Sequence, residues 1–258
     1  MRTTLSRGAR AKSVTGIACL VLAGVLAVHP RAGAAGDIDD AFGAALERGN
    51  VAHAGGLLEA GADPNTRLGH GKTALMAAAK AGALELASGL IERGADVNAR
   101  NDNGGTALMF AAIPGHLETM KLLVGHGADV NATAHFHWTA LMVAASKGHG
   151  DGVRLLLRNG ADPNVQDTYG WTPLMRAVYG NKHEAVAALL EDGRLDLEVR
   201  DERGATALHV AVERGRSALV SRLLARGADP GSIDDAGRGL RHKASVQGYD
   251  EIAAMLEE

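Results

Sequence analysis

Thr139-Ala-Leu-Met-Val-Ala-Ala-Ser-Lys-Gly148-His149 decides the fold of this 258-residue chain, because its opening quartet recurs. Thr73-Ala-Leu-Met and Thr106-Ala-Leu-Met precede it, and Thr172-Pro-Leu-Met and Thr206-Ala-Leu-His follow. The spacings are 33, 33, 33 and 34 residues. A second marker keeps step: Gly61-Ala-Asp, Gly94-Ala-Asp, Gly127-Ala-Asp, Gly160-Ala-Asp and Gly227-Ala-Asp. Two motifs in register at one period of this size are the signature of a solenoid.

The unit around Thr106 shows why the pattern folds. Asp102-Asn-Gly104-Gly105 is turn chemistry, with glycine free to take positive φ. Thr106 supplies a hydroxyl to cap a helix start. Leu108, Ala111 and Ala112 fall on one face at helical spacing, and Gly115 ends that helix. Leu117 to Val124 reads as a second helix with Leu122 and Leu123 inward, and Gly127 ends it. Such a helix pair cannot bury its apolar face alone, so neighbours must stack.

The pattern resembles the ankyrin repeat family, whose unit of about 33 residues carries Thr-Pro-Leu-His-x-Ala. The resemblance implies an all-α ankyrin-repeat solenoid, a helix-turn-helix plus a hairpin loop per unit. Five full units span 68–100, 101–133, 134–166, 167–200 and 201–233, with partial capping units at 37–67 and 234–258. In the leading unit Asp40 stands where the others have Thr, with Phe42, Ala45, Leu57 and Leu58 in apolar slots. In the trailing unit Arg241 takes a usually buried leucine place, which predicts a looser layer. Met76, Met109, Met142 and Met175 replace the family's histidine, kept only at His209; soft packing replaces its hydrogen bond. The extra residue in Gly193-Arg-Leu-Asp196 is expected to bulge its loop and to change the array's curvature locally.

Residues 1–34 read as a signal peptide: a basic head (Arg2, Arg7, Arg10, Lys12), an apolar core from Val14 to Val28, Pro30, and small residues ending at Ala34. Cleavage near Ala34 leaves 35–258 as the ankyrin domain, without the single cysteine, Cys19. That layout is similar to exported bacterial ankyrin proteins and implies a periplasmic or secreted location with no membrane span after cleavage. The shorter chain holds 22 basic against 30 acidic residues. This acidic balance argues against nucleic acid and anionic membranes as partners. Asn131-Ala-Thr133 is a formal glycosylation sequon, explained by the repeat signature.

No catalytic constellation emerges. Gly71-Lys72-Thr73 imitates the end of a phosphate-binding loop, but position 66 is Thr and no strand precedes it. His-Glu-x-x-His, Gly-x-Ser-x-Gly and cysteine pairs are absent. No cofactor and no metal are expected. The alternative is a metal or small ligand held by His135 and His137, which an extended segment would point the same way.

Five of the eight aromatic residues after position 34 crowd two adjacent units: Phe136, Trp138, Tyr169, Trp171 and Tyr179. The resemblance places such loop and first-helix positions on a concave, partner-binding face. His135, Phe136, Trp138, Tyr169, Trp171, Tyr179, Asn103 and Ile113 are therefore the candidate contacts. The expected function is non-catalytic protein binding by a monomer, centred on repeats 3–5.

Overall fold

The computed structural model describes residues 32–257. Most of the expected leader, Cys19 and its apolar core included, lies outside the described residues. Within them the architecture is all helical, in seven pairs. The first helices are α1 (Ala32–Glu47), α3 (Ala74–Ala81), α5 (Ala107–Ala112), α7 (Ala140–Lys147), α9 (Pro173–Tyr179), α11 (Ala207–Glu213) and α13 (Leu240–Val246). The second helices are α2 (Val51–Glu59), α4 (Leu84–Glu92), α6 (Leu117–Gly125), α8 (Gly150–Arg158), α10 (His183–Leu190), α12 (Ser217–Ala225) and α14 (Asp250–Met255). None of the described helices is long and apolar enough to cross a membrane.

Each first helix packs on the first helix of the next pair, and second helices form a parallel row. The quartet explains how. Thr73, Thr106, Thr139 and Thr172 accept the N–H of Met76, Met109, Met142 and Met175 and so start their helices. The leucine at the third place is enclosed in each: Leu75, Leu108, Leu141, Leu174 and Leu208 are at most 1% exposed. The methionines are buried too, at most 5% exposed, and the Met76 sulfur accepts the Thr73 N–H at 3.4 Å. Gly150, at the start of α8, is needed for close approach: a Cβ there would meet the Glu184 carbonyl oxygen of α10 at 3.0 Å.

A hydrogen-bonded ladder joins the pairs at their loops. Asn65, Asn98 and Asn131 each donate to a glycine carbonyl one repeat on, at Gly94, Gly127 and Gly160. Each also accepts an aspartate N–H, from Asp96, Asp129 and Asp162. Asn131, the formal sequon residue, is fully engaged in this way. The insertion at Gly193–Asp196 does not break the ladder. Asn164 donates to the Arg194 carbonyl at 2.8 Å and accepts from Asp196 N–H at 2.8 Å. The consequence appears beyond the loop: α10 and α12 approach each other least closely of all neighbouring second helices. Arg226 bridges that gap to the Leu190 carbonyl at 2.6 Å.

Three expectations need correction. Asp40 does not cap a helix; α1 begins at Ala32 and leaves Asp40 exposed within it. In its place Asp39 reaches the ladder, accepting the Asp63 N–H at 2.8 Å. On α6 the inward residues are Thr119, Met120 and Leu123, while Leu122 is half-buried, because the face follows a 3.6-residue period rather than adjacent positions. In the trailing unit Arg241 turns outward to pair with Glu257, and Leu240 fills the core instead.

His209 is buried, its Nδ1 accepts the Thr206 N–H at 3.2 Å, and its Nε2 has no partner among the described residues. Burial first and the nearby Lys243 ammonium second hold the imidazole below its ordinary pKa, against the raising influence of Asp234 and Glu213. A depressed folded value means the unfolded chain binds the proton more readily. The contribution to stability is therefore full above about pH 6.5, the unfolded value, and is lost as pH falls below it. His209→Met, which installs the residue of the other repeats, is expected to flatten that acid-side slope in urea melts at pH 5 and pH 7.5; an unchanged slope would place its origin elsewhere. Asn131→Ala removes two junction bonds and is expected to lower stability by about 1–3 kcal/mol, with unfolding breaking cooperativity between repeats 3 and 4 in hydrogen exchange.

Candidate partner-binding face

The residue at the start of each loop sets how that loop turns. Asn101, Asp167, Asp201 and Asp234 hold this place in four loops. Each uses one side-chain oxygen to accept the N–H groups two and four residues on. Leu68 and Ala134 stand there in the other two loops and carry no side-chain acceptor. Those loops close instead through single 3₁₀ turns, Gly69–Gly71 and His135–His137. Each such turn has two successive left-handed residues: His70 and Gly71 at φ 60° and 65°, and Phe136 and His137 at 59° and 60°.

The second case is the unusual one. Among the described residues, only there do two side-chain-bearing residues in a row take positive φ. Left-handed backbone is disfavoured by about 1–2 kcal/mol for a residue with a Cβ. The equivalent of His137 is glycine at 71, 104, 170 and 204. The turn also overturns the premise of the metal reading. His135 and His137 were expected on one side of an extended segment; the segment is a tight turn, so strand alternation does not bring their rings together. No cluster of three or more His, Cys, Asp or Glu able to hold a metal occurs among the described residues.

The strained turn presents Phe136 to solvent, 49% exposed. Its ring stacks on Tyr169, the same position one loop later, at 6.3 Å between centroids and 24°. His135 meets Phe136 edge-on at 4.2 Å. A second row lies further in. The Arg176 guanidinium sits between Trp138 and Trp171, 5.0 and 4.7 Å from the two rings. Asp167, wholly enclosed, fixes it with one oxygen that accepts from Arg176 Nε at 2.8 Å and from a terminal nitrogen. Trp171 then meets Tyr179 edge-on at 5.3 Å, and Arg214 lies 3.8 Å over the Tyr179 ring. Tyr169, Trp171, Arg176, Tyr179, Glu202 and Arg203 line an open cleft of about 430 Å³ beside this row.

Asn103 and Ile113 stay exposed at the margin. Each is tied to repeat 4 by its carbonyl, which accepts from His135 N–H at 2.8 Å or meets His149 Nε2 at 3.1 Å. The structure thus gathers the six predicted residues of repeats 4 and 5 into one aromatic surface and leaves these two beside it.

The family described as ankyrin repeats (3 copies) matches residues 41–134, 101–167 and 141–234. The chain belongs to the ankyrin repeat family. It is 43% identical over 68 residues to the calmodulin-binding transcription activator CBT of Oryza sativa subsp. japonica, over 24% of this chain and 7% of that one. It is 39% identical over 70 residues to calmodulin-binding transcription activator 5 of Arabidopsis thaliana, over 25% and 8%. The chain spans less than a tenth of the length of these relatives.

Ankyrin register could have found what sequence reading missed. Arg176 takes the place four residues after the quartet's Thr, which is Ala77, Phe110, Val143 and Val210 elsewhere. That place faces the neighbouring loop, so an arginine there needs an acid, and Asp167 is nine residues upstream. The same pairing recurs in the last unit, where Lys243 meets Asp234 at 2.9 Å. The signal lies in the nine-residue spacing of acid and base. Replacing His137 by Gly should relieve the left-handed strain and raise stability by about 1 kcal/mol, read as a shift in the urea midpoint. A midpoint at or below wild type would show that the turn is not strained.

Proposed function

We propose that this ankyrin array is a non-catalytic binding module that docks a protein partner on the loop face of repeats 3–5. The observation that carries this reading is Phe136: a large apolar side chain, half exposed, held in a disfavoured backbone conformation and stacked on the equally exposed Tyr169. Strained residues persist where the surroundings hold them, and they concentrate at binding sites. Packing does not explain Phe136, since the same tip place elsewhere is filled by Asn103 or Arg203 without loss of the fold. Trp and Tyr are the residues that dominate interface energetics, and the rigid stack beneath them limits the ordering cost of binding.

The leader-like segment at 1–34 supports export, so the partner we envisage belongs to a bacterial envelope compartment. A periplasmic enzyme that the array supports or inhibits, as a monomer, fits such a surface. The likeness to plant calmodulin-binding activators covers a quarter of the chain and is carried no further than the repeat itself.

The test is affinity capture from an envelope extract with the array as bait, comparing wild type with Phe136→Ala. One specific protein retained by the first and reduced about tenfold or more with the second, at unchanged helical content, supports the reading. Equal recovery would move the contact away from this tip.

A further inference from the structure

Charge is not spread evenly over the array. The exposed acids Asp63, Asp96, Asp129, Asp162, Asp196 and Asp229 recur once per repeat at the loop end, where second helices finish. The opposite end, where first helices finish, is different in repeats 4–6. Lys147 ends α7, Lys182 follows α9, and Arg214 and Arg216 follow α11. None of these four makes an ion pair among the described residues. Arg216 even keeps a buried Nε without a partner. The acidic whole-chain balance hides this row.

The row meets the aromatic cleft at Arg214, which lies over Tyr179. Two further arginines are half-spent inside the cleft. Arg176 and Arg203 use Nε and one terminal nitrogen on Asp167 and Asp201, which leaves the other terminal nitrogen of each without a carboxylate. The acids on this side are Glu202 at the cleft, Asp151 and Glu184 at the starts of α8 and α10, and Glu213 at the end of α11; Asp151 is paired with Arg154 and Glu213 with Lys243. Guanidinium groups beside flat aromatic surfaces suit carboxylates flanked by apolar side chains.

Building on the protein-binding reading above, we propose that the partner contributes an extended acidic segment, laid across the first-helix ends of repeats 4–6 and anchored by an apolar side chain in the cleft between Tyr169 and Tyr179. Stacked helices are about 8–10 Å apart, and an extended chain of polyproline II form advances about 3.1 Å per residue and returns to the same face every three residues. Carboxylates three residues apart therefore face successive repeats. A net-negative domain favours such a segment over nucleic acid, whose backbone would meet the acidic loop end as well.

Trp138 and Trp171 are the only tryptophans in the chain and both lie in this array, so intrinsic fluorescence reports on it directly. The full chain is titrated with the capped peptide Glu-Ala-Leu-Glu-Ala-Leu-Glu, with its twin carrying Gln for Glu, and with a thymidine oligonucleotide. The glutamate peptide is expected to give a saturable change, about tenfold tighter than the Gln twin. Raised salt should weaken it, as should Arg214→Glu and Lys147→Glu, both exposed positions whose variants are checked for helical content. Equal binding of the twin, insensitivity to both reversals, no response to the glutamate peptide, or tighter binding of the oligonucleotide would each overturn the proposal. A partner captured through Phe136 that the glutamate peptide fails to displace would sink the acidic segment while leaving the docking face standing.

Discussion

The bonds between one loop and the next hold this molecule in register. Its helices run to six to nine residues apart from α1, too short to persist alone in water. They exist because each is packed on its neighbours, and the asparagine ladder fixes how. One side chain both donates to the loop before the next helix pair and accepts from it. Where the ladder residue changes, the role is kept with fewer bonds: Glu198 accepts the Asp229 N–H, and Asp39 accepts that of Asp63. Asp63 and the later aspartates in turn accept the N–H two residues on, so the exposed acids are also the turn formers. The acidic character of the loop end is thus a by-product of folding, and the charge left for function lies elsewhere.

Small residues make the close stack feasible. Alanine fills most of the first-helix interior, with leucine and methionine supplying volume at two fixed places. The methionines do more than pad. At Met76 the sulfur receives the Thr73 N–H that His209 Nδ1 receives from Thr206. The two solutions differ in what remains unpaired. A thioether leaves no buried donor, whereas the imidazole leaves Nε2 without a partner and brings a titratable group into the core. Among the described quartets, the array has therefore confined a buried imidazole to the α11 layer, next to the network in which Lys243 pairs with Asp234 and Glu213.

The fold was legible because it is written many times over. Thr caps, buried leucines and glycine stops repeat in register, so an error in one unit is corrected by the others. The misses fell where repetition ends or is broken. Asp40 was aligned by position with threonines, but helix α1 starts earlier and needs no cap there. The insertion at Gly193 was visible: the loop takes up the extra residue within the ladder, and α10 and α12 pack less against each other than the other neighbouring second helices do. The aromatic surface was legible as composition, since five rings in two units cannot be overlooked. Its organisation was not. Arg176 reads as one more surface arginine until the repeat register is used to set it against Asp167, nine positions back, and the folded loop shows the two indoles on either side of it. The turn at His135–His137 was misread for a related reason: the missing Asx residue at Ala134, not the histidines themselves, decides its backbone.

A periodic molecule carries its individuality in departures from the period. Repeats 2 and 4 both lack the side-chain acceptor at the loop start and both take the tight turn, but repeat 2 fills it with His70 and Gly71. Repeat 4 fills it with Phe136 and His137, a less favourable choice that folding alone does not require. One loop later Asp167 restores the acceptor and uses its second oxygen to seat Arg176 between two indoles. Adjacent units thus use opposite means, strain in one and an enclosed ion pair in the next, and both means hold aromatic rings open to water. Two independent local solutions with the same result are difficult to account for by packing, which would bury those rings. They are readily accounted for by a surface that must be stiff before anything touches it.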